Sequence, residues 1–496
     1  MVYSFIRNRK HETAAVLVLL VLSYLSFFHH LGYQHMNLWD ESSYGLNALE
    51  MVQRGNPIEV YLLGKPDLYN TKPPFAIWCM SAGVKAFGFT EKGVRFASAF
   101  FGLLTALLLW FAAYRFSSKP WGALCLPLIL ISSTGFVGEH IARTGDTDGI
   151  LAFWILGYVL SFYFYTQETE TKRKRLWLMA FFMAFSFACL TKGIAGFTAL
   201  PGIILWTFLQ KQVRLLLSDK WFYIGITIFL LLVPGYYVLR NLLTPGYIET
   251  VIHYEFLGRI ERQEFLNPEP RSFWFYYDQF WNNKRLVLWC WLLVPSALMI
   301  VFAIKSRLRT LGLFLLVVLA SISVMLGVSF TKLFWYDAPL YPIIAGVIGV
   351  GILLLREQVK PLPKVVIAVV FTVLFVYPYA IIVERNHTPE QTQHVREAIR
   401  SVRQELQFKD TLLMVSSEVN FPVEFYFKQN SLWSGGVGKV IPTDDIRLKE
   451  GAYFMTCKYA READMNNRFI LDTLYHQFEC GFFRIKGVKE TNPQHD

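Results

Sequence analysis

The chain has 496 residues, 54% of them hydrophobic and 17% aromatic, a balance too apolar for a surface that faces water alone. Its 48 lysines and arginines against 37 acidic residues leave a net charge of +11, but the basic residues sit in short clusters between apolar runs. That placement excludes a nucleic-acid surface and describes a chain threaded through membrane lipid.

Segments close to the roughly 20 apolar residues that cross a bilayer recur over the first three quarters of the chain. They centre on residues 14–28, 95–114, 120–134, 149–165, 176–190, 194–209, 221–239, 286–304, 311–328, 337–355 and 365–383. These predict about eleven spans, with 120–134 and 176–190 short for the task. Basic residues collect before the first span (Arg7, Arg9, Lys10) and at every second junction after it, including the run Lys172-Arg173-Lys174-Arg175. The bias predicts a cytoplasmic N-terminus and places the alternate junctions and the tail outside. Residues 1–383 therefore read as a membrane domain with long outer loops at 29–93 and 240–285, and 384–496 as a small α/β domain on the periplasmic side. Within the tail a helix is predicted around Thr392–Leu406 and strands at Thr411–Ser416 and Gly451–Thr456. Of six cysteines, four lie in or beside apolar segments without metal-ligand spacing; Cys457 and Cys480 fall in the tail, where a disulfide and two free thiols are both open outcomes.

The outer junctions hold the charges that a membrane chain must justify. Asp40 and Glu41, followed by Tyr44, stand just past the first span: a carboxylate there is a candidate base or cation ligand, or simply the acid that starts a helix. Lys72 precedes two prolines that stiffen the backbone, which suits phosphate binding as well as an interfacial lysine. The fourth span is preceded by a dense group containing Arg143, Asp146 and Asp148, readable as a cation site or as an Arg143–Asp148 ion pair. Lys192 occupies a tight Thr-Lys-Gly turn, His253 and Arg259 an amphipathic stretch of the second loop, and Lys332 and Tyr336 an aromatic belt. Snorkelling accounts for any one of these bases, but poorly for a set that faces one side.

Taken in order, Asp-Glu-x-x-Tyr, Lys-Pro-Pro, Arg-x4-Asp, Leu-Thr-Lys-Gly, His-x5-Arg and Ser-x-x-Lys-Leu-x-x-Tyr-x-x-Pro-x-Tyr-Pro resemble the GT-C membrane glycosyltransferases. The nearest branch includes the bacterial lipid A aminoarabinose transferases, with the protein O-mannosyltransferases more distant. The resemblance covers about residues 37–342. It implies transfer of a sugar from a polyprenyl phosphate donor to a hydroxyl of a lipid, glycan or protein acceptor at the periplasmic face of the inner membrane. It further implies Asp40 as general base with Glu41 and Tyr44 completing its motif, Lys72 and Arg259 at the donor phosphate, and Asp148, helped by Asp146, positioning acceptor or base. Lys192 and Lys332 would meet the lipid headgroup, and Arg143, His253 and Tyr336 would support the acceptor side. A divalent cation is compatible with the sequence but not demanded by it; Asp146, Asp148 and His253 are its weak candidates. Thr71 stands where a glutamate often precedes Lys-Pro-Pro and shares a metal with the histidine, which counts against zinc at His253. A transporter or flippase of a lipid-linked sugar is the rival reading, disfavoured because no internal repeat is found and the charges gather at one surface rather than the midplane.

Overall fold

The computed structural model describes residues 2–36, 40–138, 140–257, 271–282, 285–329, 331–358, 364–387, 394–404, 409–416, 420–435, 437–457, 459–477 and 479–489. Among them, eight helices are long and apolar enough to cross a membrane: Arg9–Phe28, Glu91–Ser117, Asp148–Gln167, Thr171–Phe197, Lys220–Leu243, Arg307–Gly327, Phe334–Gln358 and Val369–His387. The apolar runs expected at 120–134, 194–209 and 286–304 form the shorter apolar helices Pro120–Ile131, Leu200–Leu209 and Cys290–Phe302. Pro120 opens the first of these helices, Pro201 sits in the first turn of the second and Pro295 inside the third. A further short helix, Phe75–Phe87, begins straight after Pro73-Pro74 in the first long loop, where no apolar helix was predicted.

The span beginning at Phe334 is almost wholly buried, whereas those at Lys220–Leu243 and Val369–His387 turn most of their surface outward. Burial so unequal, with leucine and valine on the outward faces, is what lipid permits and water does not. Helix ends are closed locally. Thr90, Asp219 and Ser306 accept backbone amides at the starts of the helices that follow them. Gly193, at φ +54°, breaks the helix Thr171–Lys192 just after the lysine.

The C-terminal region carries a five-stranded mixed sheet in the order Gly438–Ile441, Leu412–Val415, Tyr453–Cys457, Cys480–Val488, Phe469–Gln477. The first three strands are parallel and the last two pair antiparallel. The tail helix and both strands expected from the sequence are present, as His394–Gln404, Leu412–Val415 and Tyr453–Cys457. All four residues of Leu412–Val415 are buried, as befits a strand covered on both faces. Cys457 and Cys480 face each other across paired strands and form a disulfide.

This region does not hang free. Arg396 pairs with Glu91 at 2.9 Å, the Tyr426 hydroxyl accepts the Met36 amide at 3.0 Å, and Phe425 packs on Gly45 of the helix Asp40–Arg54. One apolar core, including Tyr44, Leu49, Val94 and Phe425, is shared by the first loop and the tail.

The same helix is tied to the bundle by charge. Arg95 Nε and Nη2 donate to the two Glu41 oxygens at 2.6 and 2.8 Å, and the remaining donors reach the carbonyls of Leu31, Gln34 and His35. Both side chains are 1% exposed. Removing one partner from such a pair strands the other, at a cost of about 3–5 kcal/mol. Arg95→Ala and Glu41→Gln should therefore each lower the melting temperature of the detergent-solubilised protein markedly. The double variant Glu41→Leu/Arg95→Met should recover part of the loss, because it strands no charge.

Candidate active site

Asp40 is the first residue of its helix, and Glu41 beside it is pinned by Arg95. Glu41 Oε1 also accepts the Gly145 amide at 2.8 Å. Only glycine fits at 145: a Cβ there would stand 2.4 Å from Val94 Cγ1. Through this contact the segment 140–148, which leads into the helix Asp148–Gln167, is held against the start of the Asp40 helix. The result is a three-residue cluster of Asp40, His140 and Asp146, whose nitrogen and oxygen atoms lie within 4.8 Å of one another.

His140 and Asp146 form the core of that cluster, Nδ1 to Oδ2 at 2.8 Å, and the imidazole stacks on Trp335 with centroids 3.8 Å apart. Asp146 Oδ1 accepts the Thr147 amide at 2.6 Å. Burial disfavours the charged form of each partner, but the hydrogen bond and charge of the other outweigh it: His140 is raised and Asp146 lowered from its ordinary value. One imidazole and two carboxylates suit a divalent cation. They are not the set expected: His253 is exposed and packs edge-on to Tyr254, outside every metal-type cluster among the described residues. Asp148 has turned to a lysine.

That lysine is Lys192, whose ammonium lies 2.5 and 2.7 Å from the Asp148 oxygens and 4.7 Å from the centre of the Tyr336 ring. The sequence alternative of an Arg143–Asp148 pair is thereby corrected. Arg143 instead donates to the carbonyls of Ser26 and His29 at 3.2 and 2.9 Å, and burial with Arg95 and Arg385 nearby lowers its pKa to about 9. Lys72 donates to the Tyr44 hydroxyl. Burial disfavours the Lys72 ammonium, yet Tyr44, Asp40 and Asp146 outweigh it and hold its pKa well above the ordinary value; burial and Asp40 keep the Tyr44 phenol neutral. Lys332 bonds the Ser329 carbonyl at 2.7 Å and is lowered by burial and by Arg271. Arg259 lies outside the described residues.

Lys72 and Lys192 stand together at an apolar cavity of about 600 Å³, whose wall includes Phe197, Val233, Tyr237, Ile248, Val251 and Met325. Two lysines and a greasy trough are complementary to a phosphate on a long hydrocarbon. Across the cluster a second, polar cavity of about 390 Å³ is lined by His140, Trp335, Gln279, Arg285 and Arg385. The sequence reading passed over most of this wall, and over Glu255, which accepts a 2.6 Å hydrogen bond from Thr71 at the edge of the apolar trough. Glu255 was the more findable: a glutamate two residues after His253 supplies the carboxylate that position 71 lacks.

The dolichyl-phosphate-mannose-protein mannosyltransferase family profile matches residues 17–243. An uncharacterized protein of Aquifex aeolicus is 30% identical over 54% of this chain and 54% of its own length. The undecaprenyl phosphate-alpha-4-amino-4-deoxy-L-arabinose arabinosyl transferase of Pseudomonas savastanoi is 26% identical over 58% of this chain and 56% of its own. The chain thus spans little more than half the length of these curated relatives. Among solved structures, ArnT from Cupriavidus metallidurans bound to undecaprenyl phosphate superposes with a TM-score of 0.70 at 17% identity, covering 95% of this chain and 97% of that one. The apo oligosaccharyltransferase of Archaeoglobus fulgidus follows at 0.51 and 10% identity, over 97% and 75%. The fold is therefore that of the GT-C membrane glycosyltransferases, a multi-pass membrane architecture with a small C-terminal sheet region. Within that class the chain resembles the aminoarabinose transferases and the protein mannosyltransferases.

The His140–Asp146 pair gives a pH signature. A histidine raised on folding stabilises fully below its unfolded value and loses that contribution as pH climbs through the folded one. Asp146, lowered, contributes above its unfolded value. The stability gap between wild type and His140→Ala should be open near pH 6 and shrink as pH rises past the elevated histidine pKa, measured by thermal unfolding across pH.

Proposed function

We propose that the protein is a glycosyltransferase that moves a sugar from a polyprenyl phosphate to an acceptor hydroxyl, on lipid A, another glycolipid or glycan, or a protein. The reading places it in the bacterial inner membrane with the site and the tail outside the cytoplasm, as the basic junctions indicate. One observation carries the proposal: the helix that Asp40 opens contacts the walls of two unlike cavities. It delivers Tyr44 to Lys72 on the wall of the apolar trough, and Asp40 itself clusters with His140 on the wall of the polar one. That ArnT has been solved with undecaprenyl phosphate, and that relatives are named for an undecaprenyl phosphate sugar donor, supports the trough as the donor's place.

The chemistry asks mainly for placement, because a polyprenyl phosphate is already a leaving group. Asp40 accepts the proton of the acceptor hydroxyl. Lys72, Lys192 and, in the second loop, Arg259 meet the charge that grows on the phosphate. Asp148 aims Lys192. Glu41 is a positioning residue, its oxygens engaged by Arg95 and Gly145. A divalent cation, when bound by Asp40, His140 and Asp146, would acidify the acceptor hydroxyl. With base and phosphate on opposite faces of the sugar, a single displacement inverts the anomeric centre.

Asp40→Asn should lower transfer of labelled sugar from a purified polyprenyl phosphate donor by about 10²–10⁴-fold while leaving donor binding intact. Full activity in that variant removes Asp40 as base, and movement of the donor across the bilayer without transfer favours the transporter. Lys72→Ala should weaken donor binding by about 10–100-fold, the worth of a charged hydrogen bond, measured by titration of reconstituted protein. A retained anomeric configuration in the product would overturn the single displacement.

A further inference from the structure

A second nitrogen-rich cluster takes no part in the site described above. His29 and His30 stand at the outlet of the first span, and His387 ends the last one, 358 positions later in sequence. Their ring nitrogens lie within 4.8 Å of one another, and the His29 and His387 Nε2 atoms are 3.0 Å apart. His30 holds a left-handed backbone, φ +52°, which folds its ring back to 3.9 Å from the His29 ring and 4.8 Å from that of His387.

We infer that His29, His30 and His387 form a binding site for a borderline divalent metal ion of the zinc, copper or nickel type, clamping the first span to the last. Three neutral imidazoles with a water as fourth ligand are a familiar tetrahedral set, with metal–nitrogen distances of about 2.0–2.1 Å. Imidazole favours these ions over magnesium and calcium, which want oxygen. The orienting contact is also in place: His387 Nδ1 lies 3.0 Å from the Val383 carbonyl, one turn back on its own helix. That bond places the proton on Nδ1 and leaves the Nε2 lone pair pointing at His29, as carbonyl-held histidines in metal sites do.

The surroundings are built for a fixed junction. The first span widens over Tyr24–Phe28, and the carbonyls this frees are taken by the last span: Asn386 donates to Leu25 and Ser26, and the Tyr379 hydroxyl to Leu22 at 2.8 Å. The His29 carbonyl in turn accepts from Arg143. An ion held by the three rings would therefore set the position of Arg143, three residues before Asp146, without touching either cavity.

The test uses the full-length protein in detergent, stripped of metal and then kept in excess magnesium so that oxygen-rich sites are filled. Cobalt(II) is the probe, since four-coordinate cobalt has an intense visible spectrum, and zinc is then added to displace it. Wild type should bind one cobalt with that spectrum. His29→Gln and His387→Gln should each weaken it by at least about tenfold, the lower range even for loss of an orienting partner. His140→Gln should leave it unchanged. His387 is exposed, so its variant should match the metal-free wild type in melting temperature and elution. Absence of the spectrum in wild type, its persistence in both His29→Gln and His387→Gln, or its loss only in His140→Gln would overturn the site.

Discussion

The bidentate pair between Glu41 and Arg95 is the constraint on which the site depends. Successive residues on a helix point about 100° apart. Locking Glu41 inward against the second span therefore turns Asp40 toward the segment 140–148, and Tyr44, one turn later, toward Lys72. The same carboxylate draws in the Gly145 amide and with it Asp146 and Asp148. Two apolar-to-polar junctions far apart in sequence meet at one buried ion pair. Its desolvation cost is repaid by Arg95 donors on three carbonyls as well as on the acid.

Around that anchor, ionisable groups occur in hydrogen-bonded couples: Lys192 with Asp148, His140 with Asp146, Lys72 with the Tyr44 hydroxyl. In a region walled by spans an isolated charge is costly, so pairing is what allows so many ionisable groups to share it. Asp40 differs in being half-buried, beside His140 and Asp146. The groups fixed by partners hold shape, and on the reading proposed above the half-buried carboxylate beside them does the chemistry.

Much of this was legible in the chain itself because charge at a membrane boundary is expensive. Asp40, Lys72, Asp146, Asp148 and Lys192 are candidates on that ground, each with a bland alternative, and the ordered motifs of the resemblance gather them into one set; the apolar runs mark the long spans. Pairing was not legible. Nothing in the order of residues says that Asp148 takes Lys192 rather than Arg143, or that Glu41 is tied to Arg95 while its neighbour stands beside His140 and Asp146. Those outcomes depend on helix rotation and on a glycine at 145 that lets two backbones touch. His140 was hidden inside a crowded motif, and its partner Trp335 comes 195 positions later. The tail helix and strands followed from periodicity, but the seating of Phe425 and Tyr426 on the first loop is a tertiary fact, as is the disulfide between Cys457 and Cys480. The apolar runs at 120–134, 194–209 and 286–304 fold as shorter helices, a length that hydropathy alone does not set.

The Lys192–Asp148 couple has a consequence for the lipid carrier. On the reading proposed above, a phosphate reaching Lys192 finds it already neutralised, so association is an exchange of one anion for another rather than a capture by bare charge. The strength of the hold then reflects how well phosphate competes with a carboxylate. A carrier that had given up its sugar would present a more highly charged phosphate and compete better, which makes departure of the spent lipid, more than arrival of the loaded one, the step that the acid at 148 must assist.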